Sequence, residues 1–151
     1  TYPDAKIAVS NGTLTNAEMA KMPEFKDHAI VDRAVSYTGG NATLFVYDDA
    51  SNQFIRRSTN LKKENGDRAV GTQLAPDHPG QAVLRKGEAY KGPAVLFSKS
   101  YMTAYYPVKN ASGKVIGILD AESTKFLYFT PERIAMLVSL ATECPSHLPR
   151  V

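Results

Sequence analysis

The sequence predicts an α+β domain in which one five-stranded antiparallel sheet is flanked by helices. Three observations carry that expectation. Before residue 40 the apolar residues recur at helical spacing, and from Ala42 to Ala121 the period falls to two, with β-branched and aromatic residues crowded between turn signals. The strand-like stretches also follow one another through short polar turns, which lets chain neighbours pair antiparallel. A chain of 151 residues, 43% apolar and 22% charged, fits one domain that buries roughly 70% of the surface its unfolded chain exposes.

The elements follow in order. Thr15 and Glu18 fit a capping box, so a short helix is expected over Asn16 to Lys21, stopped by Pro23. Asp27 caps a second helix whose apolar face is Ile30, Val31, Ala34 and Val35, and Gly39 and Gly40 end it. Ala42 to Tyr47 and Gln53 to Leu61 read as a hairpin around the Asp48 to Asn52 turn, followed by a charged loop over Lys62 to Gln73. A short helix runs from Asp77 to about Gly87. Ala89 to Phe97, Tyr101 to Val108 and Lys114 to Ala121 then form a meander, and Thr130 with Pro131 starts a closing helix. The whole chain, 1–151, is read as a single domain, with N-terminal helices in 1–40, the sheet core over 41–122 and the closing helix over 129–143.

Several function classes are disfavoured. Eighteen basic residues against fifteen acidic ones, largely interspersed, argue against nucleic acid as a partner. No apolar run reaches the length of a membrane span, and no leader pattern opens the chain. The single cysteine, Cys144, rules out an internal disulfide and lacks a paired base for nucleophilic work. His28, His78 and His147 are scattered without metal-ligand spacing, and no nucleophile elbow, phosphate loop or dinucleotide fingerprint occurs. The expectation is therefore a binding domain without cofactor or metal, rather than an enzyme.

The stretches IVDRAVSYTGGNATLFVYD, FIRRSTNLKKENGDRAVGTQL and KGEAYKGPAVLFSKSYMTAYYPVKNASGKVIGIL, in that order, resemble the single Cache domains of bacterial chemoreceptors and sensor kinases, which have a PAS-like fold. The closing GILDAESTKFLYFTPERIAMLVSLA resembles instead the last strand and helix of GAF domains. The Cache resemblance implies an extracytoplasmic, periplasmic sensor that takes a small polar or anionic metabolite and passes the signal to an output module. It is compatible with a homodimer and with a membrane-anchored parent protein. The GAF resemblance implies the alternative, a cytoplasmic regulatory or dimerisation module that binds a nucleotide or another small molecule.

Alternation along the strands selects the candidate ligand residues. Phe54, Arg56, Ser58 and Asn60 share one face of the second sheet strand, and Ile55, Arg57 and Thr59 share the other. Arg56 stands in the family's FxRxxTN-like stretch and offers a planar fork for a carboxylate, with Ser58 beside it. Tyr101, Thr103 and Tyr105 point together from one strand, as a row of hydroxyls suited to a polar pocket. Tyr47 and Phe97 end neighbouring strands where they can close it. Asp120 ends the last strand and suits a ligand amine or a structural anchor. The charged loop with Lys62, Lys63, Glu64, Asp67 and Arg68 reads as solvated surface or as a lid.

Overall fold

The computed structural model describes residues 5–10 and 13–124. The expected closing helix, most of the GAF-like segment and Cys144 lie outside those residues. Seven strands form a mixed sheet in the order β1-β2-β6-β7-β3-β4, with β5 also paired to β6. They are β1 (Lys6–Ser10), β2 (Thr13–Glu18), β3 (Asn41–Asp48), β4 (Gln53–Thr59), β5 (Tyr90–Leu96), β6 (Lys99–Lys109) and β7 (Val115–Ser123). The described helices are few, α1 (Ala29–Thr38) and the short α2 (Gln81–Arg85).

The five expected strands are β3 to β7, and each of their pairings is antiparallel. Two more strands correct the expected number. The stretch read as a capped helix over 16–21 is instead β2, hairpinned to β1, and its Glu18 bridges Lys109 of β6 in the parallel sense. Local signals lost there to tertiary pairing. The Thr15 hydroxyl donates to the carbonyl of Ala8 across the hairpin at 3.1 Å rather than capping a turn, and β-branched threonines favour that extended backbone. Leu14 and Ala17 then bury against Ala104, Tyr106 and Val108 of β6.

The pleat of the sheet divides the core in two. On one face Ala42, Leu44 and Ala121 pack under Val31 and Ala34 of α1, as the apolar stripe of that helix requires. On the other, Phe45, Phe54, Tyr105 and Ile118 pack under Leu74 and Leu84. The segment between β4 and β5 therefore covers this second face. It is laced to the edge of β4 by main-chain bonds, Arg56 N–H to Thr72, Gly71 N–H to Arg56 and Leu74 N–H to Phe54. Gly117 marks a tight crossing, since a Cβ there would sit 2.6 Å from the Phe45 carbonyl oxygen and 2.8 Å from the Met22 thioether.

A buried polar cluster beneath the 61–87 segment

The face covered by the 61–87 segment is where side chains that could bind a ligand meet. Along β7, Ile118, Asp120 and Glu122 alternate onto it. Asp120 lies opposite Tyr105 of β6 and Thr43 of β3, and Glu122 lies opposite Thr103 and Asn41. Arg56 of β4 pairs with Phe45, whose other neighbour is Ile118. Arg56, Thr103, Tyr105, Asp120 and Glu122 are all at most 3% exposed. Tyr101 is buried at the Glu122 end, beside Ala94 and Leu96 of β5.

Arg56 is held from several sides. One terminal nitrogen, Nη1, donates to Thr72 Oγ1 at 3.1 Å and to the Gln73 carbonyl at 2.9 Å. The guanidinium lies 4.9 Å from the centre of the Phe45 ring and 5.4 Å from that of Phe97, distances at which an aromatic face attracts a cation. Phe97 reaches this place from the β5–β6 turn with φ at 47°, a left-handed conformation uncommon for a bulky side chain. At the tip of the turn, Ser98 donates to Glu64 at 2.6 Å and ties the hairpin to the covering loop.

The cluster is rich in polar atoms without partners. Arg56 Nε, His78 Nε2, Tyr105 Oη and all four carboxyl oxygens of Asp120 and Glu122 are buried and receive or give no protein hydrogen bond. Folded proteins hold few such groups and seldom gather them in one place, because each forfeits its hydration. Their protonation follows from their surroundings. Burial, and then the neighbouring Glu122 charge, holds the Asp120 carboxyl well above the usual carboxylate range. Burial also pushes Glu122 up to about 7, against the opposing pull of Arg56. The protonation of each carboxyl bears on that of the other.

His78 is an imidazole kept neutral, pushed down to about 4 by burial and then by the Arg56 charge. Its Nδ1 accepts the Gly80 N–H at 2.9 Å. That bond fixes the tautomer, so Nε2 carries the hydrogen and is a donor without an acceptor. The ring meets Tyr105 edge-on at 4.7 Å and Tyr90 at 5.6 Å. On its outer side His78 lines, with Ala75, Pro79, Pro93 and Ala94, an open cleft of about 400 Å³. The histidine thus stands between solvent and the buried cluster.

Among the residues singled out from sequence, Arg56, Tyr101, Thr103, Tyr105 and Asp120 come together on this face, and Phe97 closes over Arg56. Two do not join them. A bulge between Leu44 and Phe45 pairs Leu44 with Ser58 and Phe45 with Arg56. It turns Ser58 to the α1 side, where its hydroxyl lies 3.2 Å from His28 Nδ1 and 3.4 Å from the Asp27 carbonyl. Thr59 takes the cluster face instead, bonded to Thr43 at 2.7 Å. Tyr47 lies at the far end of the face, in a separate cleft with Phe54, Arg85 and Lys114, and its hydroxyl donates to Asn52 at 3.0 Å.

The charged loop is tethered in part by Arg68, whose two terminal nitrogens grip the Asp32 carboxylate of α1 at 2.7 and 2.9 Å. Sequence reading missed Glu122, His78, Thr43 and Thr59. Glu122 was within reach, since continuing the β7 alternation by one step from Asp120 puts it on the same face. His78 carried no local signal. Among the described residues no group of three or more His, Cys, Asp or Glu is placed to hold a metal ion, and no helix is long and apolar enough to cross a membrane.

A family model described as the Cache 3/Cache 2 fusion domain matches residues 7–128. No curated protein matches the chain. Among solved structures, the chain is similar to the IcIR transcriptional regulator from Alicyclobacillus acidocaldarius, with 19% identity and a TM-score of 0.44. That likeness covers 74% of this chain and 60% of the regulator.

Proposed function

We propose that the buried cluster is a ligand pocket, on the premise that the chain belongs to the Cache 3/Cache 2 fusion family. Cache domains are typically extracellular small-molecule sensors, sensory rather than catalytic, and this chain is a Cache domain. The finer reading is that it recognises a compact polar metabolite with an anionic group on Arg56. The observation that carries it is the set of orphaned polar atoms gathered on one sheet face under one loop. A guanidinium with a free Nε edge and an imidazole with a free Nε2–H are donors suited to a carboxylate. Tyr105 Oη adds a hydroxyl, and the rings of Phe45 and Phe97 supply flat walls.

Signal transmission would follow as a population shift. A ligand held by Arg56, Tyr105 and His78 at once touches β4, β6 and the covering segment, and it favours whichever arrangement brings these three together. The output module, the extracytoplasmic setting of a chemoreceptor or sensor kinase and a homodimeric assembly belong to the same proposal.

The test compares two arginines that leave one strand differently. Arg56 is buried, and Arg57 is exposed at the bulge. Losing a charge-assisted contact inside a desolvated pocket costs on the order of 2 to 5 kcal/mol of binding. Calorimetric titration with small carboxylates is expected to show that loss for Arg56→Ala and a change within a few-fold for Arg57→Ala. Arg56 also tethers Thr72 and Gln73, so affinities are corrected for the folded fraction from melts of the same samples. Equal losses for both variants, or none for Arg56→Ala, defeat the reading.

A further inference from the structure

At the far end of the covered face lies a second concavity, built from residues that the buried cluster does not use. Tyr47 of β3 and Phe54 of β4 stand opposite each other across their hairpin, with ring centres 5.2 Å apart. They wall a cleft of about 260 Å³, whose rim carries Arg85 and Lys86 at the end of α2 and Lys114 just before β7. That volume falls below the roughly 300 Å³ at which sites for drug-sized molecules begin. Phe54 is 1% exposed and packs into the core beneath the 61–87 segment, so this wall is anchored.

The cations gather on these rings. The Arg85 guanidinium lies 5.9 Å from the centre of the Tyr47 ring and 5.4 Å from that of Phe54, and Lys114 Nζ lies 5.9 Å from that of Tyr47. Arg85 is held in place although it is exposed. Its Nε donates to Gln81 Oε1 at 3.0 Å and its Nη2 to the Asn52 carbonyl at 2.8 Å. The Tyr47 hydroxyl donates to the side chain of the same Asn52, so ring and guanidinium are tied to one turn residue. Nη1 of Arg85 has no partner among the described residues. A long side chain fixed in this way has less freedom to lose when it binds.

We propose that this cleft is a second binding site, separate from the Arg56 pocket, for a compact aromatic dianion, an aryl phosphate or an aromatic dicarboxylate. The charge count sets the dianion. Arg85, Lys86 and Lys114 face a single carboxylate, Asp49, which lies 2.6 Å from Lys114, so three cations against one anion leave an excess of two. The Lys114–Asp49 pair is 52% and 74% exposed, and water weakens it. Lys86 has no acidic partner among the described residues. The flat ring of the ligand lies against Tyr47, and its anionic groups take the open Nη1 of Arg85 and the ammonium groups of Lys86 and Lys114. Phosphate and carboxylate both match the planar donors of an arginine. An aliphatic anion forgoes the stacking, and a monoanion leaves one cation unmatched.

The experiment is calorimetric titration of the full chain with phthalate and phenyl phosphate. Phthalate is compared with benzoate and cis-cyclohexane-1,2-dicarboxylate, which lack one charge or the flat ring, and phenyl phosphate with benzoate and inorganic phosphate. At least one of the two aromatic dianions is expected to bind about tenfold tighter, or more, than both its controls, and which one does so identifies the anionic group. Arg85→Gln lowers that affinity about tenfold. Lys86→Gln lowers it about threefold, and because Lys86 holds no described partner it keeps the test open should Arg85→Gln disturb the turn. Arg56→Ala, corrected for its folded fraction, leaves the affinity within a few-fold. A control that binds as tightly as its dianion overturns the proposal. Affinity that falls in Arg56→Ala and holds in Arg85→Gln and Lys86→Gln assigns the dianion to the buried pocket and overturns the second site. Silence from both dianions overturns it too, and leaves the Arg56 reading standing.

Discussion

Replacing Glu122 by Gln keeps the shape of the buried cluster and removes one titrating proton, so it converts the burial of the carboxyl into a measurable slope of stability with pH. Burial raises this group from its ordinary 4.5 to about 7. A group whose folded value is raised binds more protons folded than unfolded between those limits. Its stabilisation is complete below the unfolded value and is lost as pH rises through the folded one. Each unit is worth about 1.4 kcal/mol, so between about pH 5 and 8 the ligand-free domain loses roughly 2 to 3 kcal/mol at Glu122.

Glu122→Gln does not lose it. The difference in stability between the variant and the parent therefore moves toward the variant by that amount over the same range. In a domain of this size the melting-temperature difference shifts by roughly 5 to 10 °C. His78, held near 4, acts in the opposite sense, because its contribution falls as pH drops from 6.5 through about 4. It is the same in both proteins and cancels in the difference. Thermal and urea melts at several pH values, without ligand, make the measurement. Parallel stability profiles for the two proteins would refute the idea that Glu122 is a buried, partnerless carboxyl.

Further outcomes follow from the same geometry. Ser58→Ala removes bonds only on the α1 side; it should cost about 1 kcal/mol of stability and leave small-carboxylate affinities unchanged, and affinities that fall would return Ser58 to the pocket. Gly117→Ala drives a methyl into the Phe45 carbonyl and the Met22 thioether; destabilisation of about 1 to 3 kcal/mol is expected in denaturant melts.

The order of β3 to β7 was legible because each strand carries its own alternation and each turn its own residues. The Asp48 to Asn52 turn, for example, is closed by Asp48 accepting from Ser51 and by Asn52 at positive φ. Face assignment on β6 was equally direct, since that strand runs without a bulge from Lys99 to Val108 and so keeps Tyr101, Thr103 and Tyr105 together. The same alternation failed on β4. One bulge opposite Leu44 exchanged Ser58 for Thr59, and no residue type in FIRRSTN announces it. The β2 segment misled for a different reason. Thr15 and Glu18 satisfy the spacing of a helix cap, and that local preference is worth too little to resist pairing with β1 and burial of Leu14 and Ala17 against β6.

By itself the sequence determined what lies within a few residues of itself: period, turns, the α1 stripe and the hydroxyl row of β6. It also marked Arg56 and Asp120 as residues suited to charge recognition. Only the tertiary structure decided that these two share a face with Glu122, that His78 arrives there from a loop more than twenty residues after Arg56, and that Arg56 Nε and the carboxyl oxygens find no hydrogen-bond partner within the protein. The physical reason is that a side chain's type is local, whereas its solvation and its charged neighbours depend on contacts between strands far apart in the chain, and those two quantities decide whether a buried polar group is suited to bind.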